Sequence, residues 1–493
     1  MRDAGSVWTS PRPPPNLPPA GGGEQSSAGC SGVLPPSREL LVRVDAPPTV
    51  AHDPAMSTPA SSAASRAVPP ALPWIMWGLG ALFYCYGFFQ RTAPSVMVDE
   101  LMREFAVGAA ITGTLSGLYF YTYAGLQIPV GLILDRFGPR RVLAVACALA
   151  GAGSLLFALS ESLMGAYAGR LMIGGAVAFT WVGALLIITR WLPPERFAMM
   201  SGLTLACGMA GGVGGQAPLA LLIEQIGWRG ALGVAAALAL VLAGLIALIV
   251  RDTGPYSPPA PTPDAGPRPS LRAGLARVLR NPQTYVVGVY AAALTSPMLS
   301  FAGLWGVPYL QRVHGVDREL AALATSGMMI GWGIGAPLMG WLSDRLRRRR
   351  VVMLIAASGS LVTLAAALYA PGLPFAAVAA LMLVNGVVAG GMVLCFAVGR
   401  EHNPLWAAGA ALGVVNMLAM AAGAIFQPLL GWLLDRAWDG TMEAGRPVYS
   451  VEAFQSAMWV LVLMQGVALA AALLARETRC EQQDTTTRPG PPA

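Results

Sequence analysis

The stretch "GLQIPVGLILDRFGPRRVLAVACALA", residues 125–150, sets two long apolar runs on either side of a short turn carrying Asp135, Arg136, Arg140 and Arg141. Two apolar runs joined this tightly read as a hairpin of membrane-spanning helices, with the charges held where the chain leaves hydrocarbon. Composition agrees: 55% of the 493 residues are apolar and 12% are charged, with a mean hydropathy of +0.58. A soluble domain carries roughly a quarter charged residues. A span needs about 20 mostly apolar residues. Such runs occur at 73–97, 108–134, 141–160, 164–189, 199–223, 229–250, 284–310, 319–343, 351–370, 374–399, 408–434 and 453–475. The expectation is an all-α membrane protein of twelve transmembrane helices in two six-helix bundles.

The basic residues number 32, all of them Arg, against 25 acidic ones, a net charge of +7. They gather in the short loops between spans, where they orient the chain in the bilayer, so no nucleic-acid partner is expected. With the N-terminus placed in the cytoplasm, the inner loops hold sixteen arginines and the outer loops six. Because cytoplasmic loops collect Arg and Lys, both termini are expected inside. The six cysteines form no C-x-x-C pair, and four of them fall within spans. They read as packing residues, and neither a metal nor a cofactor is expected.

Residues 1–72, rich in Pro, Gly, Ser and Ala, are expected to be disordered, and a start at Met56 would lose no span. The bundles are expected at 73–250 and 282–476, with a disordered tail at 477–493. Between them lies the only long inner linker, 251–281, whose second half from Leu271 reads as an amphipathic surface helix.

The chain repeats itself. G-x-x-x-D-R occurs at Gly131, Asp135 and Arg136, again at Gly340, Asp344 and Arg345, and again at Gly431, Asp435 and Arg436. A weaker echo joins Gln216, Pro218 and Glu224 to Gln427, Pro428 and Asp435. Asp135 and Asp344 are 209 residues apart, and Glu224 and Asp435 are 211 apart. Four copies of a three-helix unit follow, alternate copies entering from opposite sides, which is a transporter architecture.

"GLILDRFGPRR" is similar to the signature loop between helices 2 and 3 of the major facilitator superfamily, matched at Gly131, Asp135, Arg136, Gly138, Arg140 and Arg141. Pro139 is inserted before the paired arginines. "DRLRRRR" resembles the degenerate second copy, with Asp344 and Arg345. "GRLMIGGAVA" resembles the helix 4 signature, with Arg170, Gly174 and Ala178. The resemblance covers about residues 73–476 and implies a bacterial inner-membrane transporter, monomeric, working on a small-molecule solute within the lipid bilayer. It also implies that Asp135 and Arg136 hold the cytoplasmic side shut against the opposite half in the outward-open state. A carboxylate at a helix end can bind the N-terminus of a neighbouring helix only while the two bundles touch on that side. "GWLLDR" is a candidate for a reciprocal external latch.

Two charges lie well inside helices, Arg91 in "FYCYGFFQRTAPSVMVDE" and Arg170, and no Asp or Glu does. Ion symporters ordinarily carry their ion on a buried carboxylate. A buried arginine needs an anion, and with no acid in the spans the solute is the expected one. The residue 209 positions after Arg91 is Ser300, so a single carboxylate or an amino-acid-like zwitterion is favoured over a phosphate ester. Snorkelling to the outer surface is the competing reading of Arg91, and helix packing that of Arg170. Further candidates are Tyr84, Tyr119, Tyr123, Trp305 and Tyr309, which lie on helices that line the cavity in the resembled family, with Gln216 and Asn416 as hydrogen-bonding groups. "FFQRTAPSVM" together with "GQAPLALL" resembles the bacterial phagosomal amino-acid transporters, and Arg91 the organic-anion carriers. A drug exporter of the same fold is the alternative and a membrane sensor the third reading. No catalytic constellation or Walker motif appears, so neither an enzyme nor an ATP-driven pump is expected.

Overall fold

A computed structural model of the chain describes residues 69, 71–257 and 271–483. Most of the expected tail at 1–72 lies outside the described residues. Among those described, twelve helical runs are long and apolar enough to cross a membrane. Spans 1 to 6 are Leu72–Val96, Ala109–Phe137, Pro139–Leu159, Leu163–Trp191, Pro194–Gly214 and Ala217–Ile249. Spans 7 to 12 are Pro282–His314, Arg318–Leu346, Arg349–Tyr369, Phe375–Glu401, Leu405–Arg436 and Val451–Leu474.

The quoted hairpin turns on one residue. Gly138 has φ +78°, a conformation that an L side chain resists, and a Cβ there would stand 2.4 Å from Asp252 Oδ1. Pro139 then opens span 3, where its missing N–H costs no helical bond.

Several helices depart from regular geometry, among them spans 1, 6 and 7. Span 1 is α-helical over Leu72–Thr92, tightens through Ala93–Val96, and leads to a short helix Val98–Glu104. The expected fifth helix breaks at Gln216, which has φ −118° and ψ −106°, and a second break at Gly227 turns the chain into the sixth crossing. Span 7 contains a wide-turn π segment, Pro297–Trp305. Its cause is local: Pro297 has no N–H to offer the Ala293 carbonyl. That carbonyl instead accepts from Ser296 Oγ at 2.8 Å and from Gln465 Nε2 at 2.9 Å.

Spans 2 and 11 run antiparallel, and their long helices, Ala109–Phe137 and Ala408–Arg436, are both 29 residues long. A Cβ on Gly423 would meet the Phe120 ring at 2.7 Å, and Asn416 Nδ2 donates to Gln127 Oε1 at 2.8 Å. Seven residues along one helix therefore match seven back along the other. Eight more in the same register set Asp135 level with Ala408, where the span 11 helix begins.

The described linker residues include a helix, Leu271–Leu279, whose Val278 packs against Ala407, Ala411 and Val414 at the start of span 11. Glu477, inside the stretch expected to be disordered, accepts from the Arg349 and Arg350 amides at 2.8 and 3.0 Å. The chain is thereby strapped across the ends of spans 9 and 10 as far as Gln483, whose amide donates to the Glu401 carbonyl.

Candidate solute-binding site and gates

Arg91 sits near the end of the first helix with 5% of its surface exposed. Its guanidinium lies 4.2 Å from the Phe88 ring centroid, 5.4 Å from that of Tyr123, and 5.8 Å from those of Tyr119 and Phe120. Tyr119, Tyr84 and Tyr123 are its titratable neighbours, and the Tyr119 hydroxyl donates to the Gly87 carbonyl at 2.9 Å. Nε has no partner among the described residues, and no carboxylate faces the group. The side chain is enclosed by rings, so it does not snorkel. Each ring face contributes about 0.5 to 2 kcal/mol to a cation, yet none supplies the paired acceptors that a guanidinium fork fits.

A small cavity opens beside it. Phe88, Arg91 and Thr92 form one wall; Met298, Leu299 and Gly303 of the π segment and Met329 and Trp332 of span 8 form the other. Both halves of the chain thus contribute.

The remaining candidates separate by position. Tyr84 packs on Phe88 and Trp181 at 5.0 and 5.2 Å between centroids, close to the cavity. Tyr119 and Tyr123 stack at 6.0 Å and 10°. Trp305 and Tyr309 lie elsewhere, donating to the Gln427 and Leu368 carbonyls at 2.9 and 2.8 Å. Arg170 stands behind Tyr119, its two terminal nitrogens donating to the Gln90 and Ser116 carbonyls at 2.9 and 3.1 Å. Gly174 permits that arrangement, since a Cβ there would be 2.1 Å from the Tyr119 carbonyl oxygen. Asn416 is engaged with Gln127, as described above. Phe88, Phe120, Met298 and Trp332 went unmarked in the sequence. Phe88 was the legible one, three residues before Arg91 and so on its face of the helix.

Gln216 is fully buried and joins the halves. Its Nε2 donates to the Ala302 carbonyl of the π segment at 2.6 Å, and its Oε1 accepts from Ser326 at 2.7 Å and Thr325 at 3.2 Å. More contacts between the halves lie further toward the same end of the molecule. Asp435 accepts from the amides of Ala109 and Ala110 at 2.8 Å each, capping span 2. Tyr449 donates to the same carboxylate. Burial, together with this charged acceptor, raises the Tyr449 hydroxyl well above its ordinary pKa. Arg318 pairs with Glu100 at 2.7 Å and Arg446 with Asp99 at 3.0 Å.

At the opposite end Arg140, Asp344 and Arg349 find their partners within their own halves. Asp135, Arg136 and Arg141 are exposed. The Arg140 amide donates to Asp252 at 2.9 Å and its Nε to the Ala247 carbonyl at 2.8 Å. Gly131 has open space around it. Asp344 pairs with Arg349 at 2.6 Å, Arg349 also binds Glu401 at 2.8 Å, and Arg345 lies over the Trp341 ring. The two halves are joined at the Asp435 end, and Asp135 is exposed.

Residues 79–317 and 298–492 match the Major Facilitator Superfamily. A probable sulfoacetate transporter of Cupriavidus necator is 24% identical over 384 residues, 73% of this chain and 86% of that protein. A membrane sensor protein of Escherichia coli is 26% identical over 383 residues, 74% and 84% of the two chains. Among solved structures, a bacterial homologue of the human lysosomal transporter Spinster, in an inward-facing and unoccupied conformation, superposes with a TM-score of 0.69 at 17% identity. That match covers 84% of this chain and 98% of the other.

Proposed function

Because the chain belongs to the Major Facilitator Superfamily, a family of multi-pass membrane transporters, we propose that it carries a small organic anion or zwitterion by alternating access. The observation that carries the reading is Arg91, buried among four aromatic rings beside a cavity that both halves line, with no carboxylate facing it. A lone buried charge is unfavourable by several kcal/mol unless it is paired. A carboxylate entering the cavity supplies that pair, with the geometry a guanidinium fork prefers.

The excess of arginine in the loops at the Asp135 end supports placing that end in the cytoplasm, with both termini inside. The conformation described above is then inward-facing. Rocking about the crossing of spans 2 and 11 would release Asp435 from the start of span 2. It would also bring Asp135 towards Ala408, where the span 11 helix begins.

Uptake of labelled carboxylates into proteoliposomes tests the reading. Arg91→Gln should abolish uptake while the protein still inserts, the lost charge-assisted bonds being worth about 2 to 5 kcal/mol. Arg91→Lys should also be poor, because an ammonium cannot reproduce the two-point fork. Wild-type rates in the Lys variant would remove Arg91 as the solute's partner. The likeness to a sensor protein supports a second reading, in which the same site binds its solute without moving it. Saturable binding with no uptake would decide for that one.

A further inference from the structure

A second small cavity shares Met298 and Trp332 with the Arg91 cavity and lies among spans 7, 8 and 10. Leu294, Met328 and Ala389 make it apolar, and the polar residues on its wall are Thr295 and Asn385. Thr295 is spoken for, since its hydroxyl donates to the Ala291 carbonyl at 2.6 Å.

Asn385 is different. It is 1% exposed, and its Nδ2 makes every hydrogen bond of the side chain, to Ser360 O at 3.0 Å, Ser360 Oγ at 3.1 Å and Thr363 Oγ1 at 3.0 Å. The surroundings dictate that orientation. The Ser360 carbonyl can only accept, and Thr363 Oγ1 already donates to the Gly359 carbonyl at 2.7 Å. Ser360 Oγ donates in turn to Gln465 Oε1 at 3.0 Å, and Gln465 Nε2 holds the Ala293 carbonyl beside the π segment. Turning the amide over would set its oxygen against these acceptors. Oδ1 is therefore left buried with no donor among the described residues, in the wall of an apolar cavity. An acceptor in that position is unfavourable until something donates to it.

We infer that Asn385 is a specificity-determining residue: its Oδ1 accepts from a neutral hydroxyl or N–H at the far end of a solute whose anionic group is held by Arg91. The inference rests on the reading of Arg91 given above. Between the two polar points the walls are Met298, Met328, Leu294 and Trp332, so the body of the solute is apolar. Methionine is the side chain best able to yield as that body passes from one cavity to the other. The class is an apolar-bodied monoanion with a distal donor, such as an ω-hydroxy acid or a hydroxyaryl carboxylate. An ammonium at that end would have to be stripped of water with no carboxylate in the cavity wall to receive it, which disfavours the zwitterion.

Binding to the purified full-length protein tests this with matched probes: hexanoate, 6-hydroxyhexanoate and 6-aminohexanoate, and benzoate beside 4-hydroxybenzoate. The hydroxy acid of at least one pair should bind about tenfold more tightly than its unsubstituted partner, the size of one satisfied buried hydrogen bond. Asn385→Leu should bring that ratio to about one. Ser360→Ala, which removes a neighbour and leaves Oδ1 in place, should preserve it, so a general disturbance of span 10 is told apart from loss of the acceptor. Equal binding within both pairs in the wild type, or a ratio unchanged in Asn385→Leu, overturns the inference while Arg91 stands. Tightest binding of 6-aminohexanoate overturns the neutral donor. Binding indifferent to Arg91→Gln sinks the Arg91 reading itself, and failure of every probe to bind removes both.

Discussion

Span 2 closes on Leu134, Asp135 and Arg136, and span 11 on Leu434, Asp435 and Arg436. The two helices have the same length, each carries one internal proline, and each begins without a side-chain cap. Their ends nevertheless differ. Asp435 holds two amides of the opposite helix at 2.8 Å, and Asp135 is exposed. The difference is one of tertiary setting, because two straight helices that cross at an angle cannot be close at both ends. In this conformation the Asp435 motif alone of the two is engaged with the start of the partner helix.

The largest effect is expected at the engaged end. Asp435→Ala should leave the protein inserted but destabilise the closed Asp435 end by about 2 kcal/mol, because a cap and a charge at a helix N-terminus are both lost. That is a shift of roughly thirtyfold in the balance of conformations. Labelling of a cysteine placed at Trp438 measures it. Unchanged labelling would mean that Asp435 caps span 2 without gating anything.

Asp135→Asn should act in the opposite sense and less strongly, by about 1 kcal/mol, since an amide still accepts one hydrogen bond but carries no charge. The conformation described here, in which Asp135 touches nothing across the bundle, should keep its stability. The alternative one, with Asp135 at Ala408, should lose. Labelling at the Asp135 end should therefore rise where Asp435→Ala lowers it, and a shift in the same direction for both variants would break the symmetry argued from the register of spans 2 and 11.

Much of this fold was legible because membrane spans announce themselves locally. Twelve apolar runs, the repeated G-x-x-x-D-R and the isolated Arg91 need no knowledge of tertiary contacts. The partner of Asp435 was out of reach for the opposite reason, being 326 residues away. A local signal did exist: "VGAA" at 107–110 and "LWAAGA" at 405–410 start long helices with no Ser, Thr, Asp or Asn to cap them, which asks for a carboxylate from elsewhere. Gln216 and Asn385 were equally hidden. An amide in a span reads the same whether it joins two halves, as Gln216 does, or keeps a buried oxygen with no donor among the described residues, as Asn385 does. Only the identity of the neighbouring donors and acceptors separates those roles.

The smallest effect concerns acid. Asp99, in the short helix after span 1, pairs with Arg446 of the opposite half at 3.0 Å. Burial raises its pKa above the ordinary aspartate value; Arg446 opposes that rise, Glu100 adds to it, and Arg318 and Arg103 oppose it. A raised value means that the closed end binds a proton more tightly than an arrangement in which Asp99 meets water. Linkage then requires acid to favour the closed end, and the advantage to fade as pH rises through the shifted value. The pair is partly exposed and worth little, about 0.2 to 1 kcal/mol, so a change of about twofold in labelling at a cysteine replacing Trp438 is expected as pH falls from neutrality towards the ordinary aspartate range. Asp99→Asn should flatten that dependence. Opening of the Asp435 end by acid in the wild type would show instead that loss of the Arg446 charge pair outweighs relief of the buried carboxylate, and would reverse the sign assigned to Asp99.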